Sequence, residues 1–216
     1  MKINKVLLRS ISGLIYMAVI VGLILCGASG VYVLTALLAV IGTAEFDTIS
    51  YHPGRKHIAI VCCDIICTVT LVLIPSLIGA FAAPVWLLAV MTRLVLELYC
   101  KEENPLRSLS TSFMTQVYIG VPLACMSLSA MMLSVDHLLA FPSVDMVSQL
   151  GAPEEWGTAL PLIVMFIYIW LNDTGAFVFG SLFGRHKLFE RISPKKSWEG
   201  FFGGLVFCLI ASACFY

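Results

Sequence analysis

Charge is what this chain has least of. Only 12% of its 216 residues are Asp, Glu, Lys or Arg, against roughly 25% in soluble domains. A soluble domain of this length needs a polar surface, and these residues cannot make one. Cys-x-x-Cys is absent as well, and the eight cysteines are scattered. Cys63 and Cys67 share a helix face by spacing, but no further Cys or His completes a zinc-like set; packing in a reduced setting is the expectation. There is no internal repeat, no low-complexity tract and no Gly-Lys-Ser/Thr order of a Walker A loop. Net charge is zero, so the total says nothing about partners and its distribution must be read instead; no nucleic-acid partner is expected.

What the chain has is apolar length. It is 60% hydrophobic, with a mean hydropathy of +0.97. Measured against the roughly 20 residues that span a bilayer, seven apolar stretches stand out, at about 11–28, 31–49, 58–79, 82–99, 112–134, 159–180 and 201–216. The first is too long for the h-region of a cleaved signal peptide and reads as an uncleaved helix. The expected fold is all-α: a polytopic integral membrane protein of about seven transmembrane helices, forming one transmembrane domain. Within it, 1–157 is a scaffold of about five spans and 158–216 is the site region.

The cations orient it. All Lys and Arg except Arg93 fall in four segments: before the first stretch, and after the second, fourth and sixth. Alternation across seven spans puts all four on one side. The opposite side's long connection, 135–158, carries Asp136, Asp145, Glu154 and Glu155 instead. The positive-inside rule makes the basic side, and the N-terminus, cytoplasmic. Glu45, Asp64, Arg93, Glu97 and Asp173 then map to the cytoplasmic halves of their helices. A charge at mid-bilayer costs about 2.5–3.5 kcal/mol on insertion scales. Each therefore needs either a partner, as Arg93 and Glu97 offer at i,i+4, or a polar site. For Glu45 and Asp64 both readings stay open; for Asn172-Asp173 a site is favoured.

The densest signal runs from Asn172 to Gly204. After Asn172-Asp173 come Gly180 and Gly184, then a loop with Arg185, His186, Lys187, Arg191, Lys195 and Lys196, then Ser197-Trp198-Glu199-Gly200. Pro194 fixes a turn. Ser193 or Ser197 is a candidate helix cap that would aim backbone amides at an anion. Glu199 suits a first helical turn, and Trp198 suits a membrane interface. Two adjacent lysines beside a helix start make a plausible phosphate clamp. The Gly180/Gly184 and Gly200/Gly204 spacings permit close helix contact.

These residues carry a resemblance. Asn172-Asp173-Thr174-Gly175-Ala176, Phe183-Gly184-Arg185-His186-Lys187-Leu188, Ile192-Ser193-Pro194-Lys195-Lys196-Ser197-Trp198-Glu199-Gly200 and Gly203-Gly204 resemble the central motif of the CDP-diacylglycerol synthase (phosphatidate cytidylyltransferase) family. The resemblance implies cytidylyl transfer from CTP to phosphatidate, giving CDP-diacylglycerol and pyrophosphate for phospholipid synthesis. It implies Mg²⁺ as cofactor, membrane lipid as surroundings, an inner-membrane location with a cytoplasmic active face, and room for a homodimer. By carry-over Asp173, Lys195 and Lys196 are the catalytic candidates. Asn172, Thr174, Arg185, Lys187, Ser193, Pro194, Trp198, Glu199 and Gly200 are the substrate-binding candidates. The family's acid-rich metal-binding motif lies beyond the position of Tyr216, so the chain is expected to be a fragment, its metal ligands outside it. Two rival classes remain. A small transporter or channel would use Glu45, Asp64, Arg93 and Asp173 as a polar path. A non-catalytic membrane subunit would dock a partner through its glycine faces.

Overall fold

The computed structural model describes residues 2–50, 58–77, 82–99, 105–134, 156–191 and 193–215. The Pro-Gly turn with Arg55 and Lys56, Lys101, Asn104, the connection at 135–155 and Ile192 lie outside the described residues. Nearly everything described is helix: α1 (Lys2–Leu25), α2 (Gly27–Ser50), α3 (Ile58–Leu77), α4 (Ala82–Tyr99), α5 (Pro105–Thr115), a π-helical turn (Gln116–Gly120), α6 (Val121–Ser134), α7 (Trp156–Phe183) and α8 (Trp198–Phe215). Gly27–Ser50, Pro105–Met131 and Ala159–Phe183 are long and apolar enough to cross a membrane by length and composition, and Ile11–Leu25, Ile58–Leu73 and Trp198–Ala213 are shorter apolar helices. Each of the seven apolar stretches is thus helical wherever it is described, apart from the turn residue Cys26 in the first. The chain forms two compact units, Met1–Ala159 and Leu160–Tyr216.

In the first unit, α1 and α2 are joined by almost nothing. Cys26 N–H donates to the Leu23 carbonyl at 3.2 Å, and Gly27 takes φ +75°, the left-handed conformation that ends a helix without a Cβ penalty. A tight hairpin therefore forms, with α2 starting at the turn glycine itself. Pro105 opens α5, where a missing N–H costs nothing.

The interior of this unit mixes apolar residues such as Ile20, Ile24, Leu34 and Val72 with many polar ones. Asp64, Arg93, Glu97, Ser108, Ser112 and Gln116 are all buried, while Leu14, Ile41, Leu88, Leu98 and Phe113 face outward. A water-soluble core is built the other way round; lipid as solvent explains this inversion. The polar groups lie on stripes four residues apart. On α2 the stripe is Val31, Thr35, Ala39, Thr43 and Asp47; on α5 and the π turn it is Ser108, Ser112 and Gln116.

The α5 stripe meets Arg93 through Ser108. Arg93 donates through Nε to Asp64 Oδ1 at 2.9 Å, through Nη1 to Glu97 Oε2 at 2.6 Å and through Nη2 to Ser108 Oγ at 2.8 Å. Ser112 Oγ donates to Asp64 Oδ2 at 2.9 Å, and Ser108 Oγ to Glu97 Oε2 at 2.8 Å. One turn along, Gln116 Nε2 donates to Thr68 Oγ1 at 2.9 Å. The Arg93–Glu97 pair expected from spacing is present, and Asp64 joins it from α3. Glu45 is a correction. It is exposed on α2, two residues from the buried face, and the acid on that face is Asp47, 1% exposed.

Arg93 thus holds two interior carboxylates, and removing one member of a buried ion pair costs about 3–5 kcal/mol. Arg93→Met should destabilise unit 1 by that amount in chemical or thermal unfolding in detergent. Replacing Arg93, Asp64 and Glu97 together with apolar residues of similar size should recover most of the loss.

Candidate functional site

The second unit is an antiparallel helix pair joined by a β-ribbon. Small residues bring α7 and α8 into backbone contact. A Cβ on Gly200 would lie 2.8 Å from the Ala176 carbonyl oxygen and 3.2 Å from Gly180 Cα. One on Gly175 would lie 2.8 Å from the Gly203 carbonyl oxygen, and one on Gly204 2.8 Å from that of Asn172. Gly203 sits directly under Phe179, whose ring meets Phe207 edge-on at 6.2 Å. With small residues at each crossing, dispersion contact replaces the hydrophobic driving force that lipid does not supply. The close contact expected from Gly200/Gly204 is therefore present, with Gly175 and Ala176 as its partners on α7.

The connection is not a loop. β1 (Lys187–Phe189) pairs antiparallel with β2 (Ser193–Ser197), with Lys187 opposite Ser197 and Phe189 opposite Ser193. Between those pairs only Leu188 stands on β1, against Pro194, Lys195 and Lys196 on β2. The result is a bulge, which breaks the ladder and re-aims side chains. Pro194, which has no N–H to give a ladder, occupies the position where such a residue is tolerated. All three bulge residues are exposed. Arg185, Lys187 and Arg191 are exposed too, so five cations crowd one short ribbon.

Three contacts seat the ribbon on α8. The Trp198 N–H donates to the His186 carbonyl at 3.0 Å. Ser197, buried against Gly180 and Gly184, accepts from the Gly200 N–H at 3.2 Å and so is the helix cap. The Glu199 carboxylate accepts from the His186 N–H at 3.2 Å and lies 2.7 Å from its Nδ1. This His186–Glu199 clasp escaped the sequence reading. Its partners are 13 residues apart, and only the ribbon makes them neighbours. The first turn of α8 is thereby partly closed to an anion, because the Trp198 and Gly200 amides already have partners within the protein.

The other candidates separate. Gly200 is buried in the helix contact. The Asn172 side-chain oxygen lies over Gly204, where a Cβ would approach to 2.5 Å. Thr174 Oγ1 donates back to the Trp170 carbonyl at 2.7 Å. Asp173, expected as an interior acid, is exposed. It stands about 100° round the helix from Asn172, off the glycine face, and has no hydrogen bond or ion pair among the described residues. Trp198 stacks on Phe202 with centroids 6.1 Å apart and meets Phe201 edge-on, an aromatic cluster of the kind that sits at membrane interfaces. Among the described residues no group of three or more His, Cys, Asp or Glu is placed to hold a metal ion, so they do not by themselves form a magnesium site.

The profile of the cytidylyltransferase family matches residues 7–216. The chain belongs to that family. It is 53% identical over 49 residues to the phosphatidate cytidylyltransferase of Staphylococcus haemolyticus, a match covering 23% of this chain and 19% of that protein. The similarity to the phosphatidate cytidylyltransferase of Staphylococcus aureus is 51% over 49 residues, with the same coverage. These matches span about a fifth of the length of the curated relatives. No solved structure matches the chain. The family of cytidylyltransferases is one of nucleotidyl-transferring enzymes, which fits a membrane protein carrying a cationic ribbon.

A methyl group at Gly200 meets the Ala176 and Gly180 backbone at 2.8 and 3.2 Å and the capping Ser197 hydroxyl at 3.2 Å. Gly200→Ala should cost about 1–3 kcal/mol, as overpacking does, and lower the midpoint of thermal unfolding. Gly13→Ala, where nothing lies within 4 Å of the added carbon, should be neutral or slightly stabilising.

Proposed function

We propose that the chain acts in phosphatidate cytidylyl transfer: CTP and phosphatidate give CDP-diacylglycerol and pyrophosphate. The observation that carries this reading is the bulged ribbon, five exposed cations at a helix joint lined by glycine, in a member of the cytidylyltransferase family. A phosphatidate phosphate oxygen attacks the α-phosphorus of CTP. The bond from that phosphorus to the bridging oxygen breaks, and pyrophosphate leaves with the electron pair. Such transfers depend on positioning and charge neutralisation more than on covalent chemistry.

In this reading Lys195 and Lys196 meet phosphate oxygens of the substrates, with Arg185 and Lys187 adding to the positive potential. Pro194 and the bulge hold the two lysines out of the ladder. Ser193 lies at the ribbon's end, and Glu199, Trp198 and Gly200 fix the ribbon to α8. Asp173 and Thr174, exposed on α7, and Asn172 at the helix crossing form a wall about three helical turns along α7 from the ribbon. Magnesium would offset phosphate charge when bound. The ribbon faces the cytoplasm, where CTP is found, and the chain resides in the inner membrane with phosphatidate reaching it from the lipid. The clustering of cations on one side of the spans supports that orientation.

Membranes carrying the protein, expressed from its complete reading frame, should convert labelled CTP and phosphatidate into lipid-soluble label. Replacing Lys195 and Lys196 together by Ala should raise the KM for CTP or phosphatidate about tenfold or more, as loss of charge-assisted contacts would. Absence of lipid-phase label from the unaltered protein contradicts the reaction, and unchanged kinetics in the double variant contradict the role given to the lysines.

A further inference from the structure

The ribbon has one polar side chain that the roles given above leave out. His186 stands at the foot of β1, between the exposed Arg185 and Lys187. Its main chain already seats the ribbon on α8. The His186 N–H donates to the Glu199 carboxylate at 3.2 Å, and the His186 carbonyl accepts from the Trp198 N–H at 3.0 Å. The ring makes a further contact, with Nδ1 2.7 Å from Glu199 Oε1. That contact adds little to the seating, because the His186 side chain is 81% exposed and exposed pairs of this kind contribute little stability. What it fixes is the ring. A carboxylate only accepts, so Nδ1 carries a hydrogen. Nε2 is left without a hydrogen-bond partner among the described residues.

A carboxylate on one ring nitrogen sets the tautomer and angle of a histidine toward a third group at the other nitrogen. The surroundings select the kind of group. Arg185 and Lys187 flank His186 in the chain, and Lys195 and Lys196 are exposed on the facing strand. Glu199, the acid in contact, is already engaged by the His186 N–H and Nδ1. Clustered cations repel a metal ion and attract an anion. Among the described residues no group of three His, Cys, Asp or Glu is placed for a metal. An anion at Nε2 requires a donor there. The ring then donates from both nitrogens, Nδ1–H to Glu199 and Nε2–H to the anion, and is an imidazolium whose second proton comes from water.

We infer that His186 is a phosphate ligand: its Nε2 donates to a phosphate oxygen of a substrate while Glu199 holds Nδ1. This rests on the reading that the ribbon meets substrate phosphate. It adds a sixth donor group to the five cations. It also makes Glu199 a positioning residue, which acts through the imidazole and does not itself touch substrate.

The test is equilibrium binding without turnover, on the complete protein purified in detergent, with CTP and, separately, with phosphatidate in mixed micelles. In His186→Asn the side-chain amide stands in for Nδ1 and keeps the Glu199 contact, but nothing occupies the place of Nε2. This variant should keep its Tm and bind one of the two ligands about tenfold more weakly, as loss of a charge-assisted contact would. The ligand that is weakened identifies the phosphate. In His186→Gln the amide reaches the place of Nε2 and gives up Glu199, and this variant should recover part of the lost affinity. A clasp with a structural role alone gives the opposite order, with the Asn variant like the unaltered protein and the Gln variant weaker. A Gln variant no tighter than the Asn variant, or both ligands bound by the Asn variant as tightly as by the unaltered protein, overturns the inference and leaves the role of the lysines standing. If the unaltered protein binds neither ligand, the inference falls together with the phosphate reading of the ribbon.

Discussion

The backbone of α8 lies directly on the backbone of α7, and everything at the candidate site depends on that contact. The limiting distance is 2.8 Å between the Ala176 carbonyl oxygen and the place a Gly200 side chain would occupy. Only because the helices approach this closely can an eleven-residue ribbon bridge them while pairing with itself, from Lys187 to Ser197. The same proximity buries Ser197 beneath Gly180 and Gly184, where its hydroxyl caps α8. Cap, clasp and bulge are then consequences. They orient a run of cations that, in a flexible loop, would be an indistinct patch attractive to any anionic headgroup.

The first unit solves a different problem in the same solvent. Lipid gives apolar side chains no reason to turn inward, so the interior is available for polar groups that satisfy one another. Arg93 organises them by serving two acids and a serine on three other turns of helix. Polar interiors of this kind tie helices together in a fixed register, since sliding any one of them by a residue would strand a charge. The cost is that each polar group left over becomes conspicuous, as Thr43 is.

Much of this was legible in the sequence. Apolar length marked the spans, and a four-residue separation marked the Arg93–Glu97 pair. The glycine spacings marked the helix contact, and Ser197 marked the cap. The failures share a physical cause. Depth along α2 marks Glu45, and only the helix face separates it from the buried acid: the stripe Val31, Thr35, Ala39, Thr43 points to Asp47. Asp173 was placed inside for the same reason. The ribbon went unseen because Ser-Pro-Lys-Lys-Ser has neither strand propensity nor alternation. It is held by the helices it joins rather than by its own composition. The clasp between His186 and Glu199 follows from the ribbon and was invisible without it.

The central claim is that the ribbon stands on the cytoplasmic face and holds a polyanion there. The most direct measurement places a cysteine at the exposed Glu190, outside the residues given a role, and follows its reaction with a membrane-impermeant maleimide. The account predicts labelling in inside-out vesicles and not in intact cells, with the rate reduced by CTP. Labelling from outside intact cells would put the cations on the wrong face for their nucleotide and contradict the account.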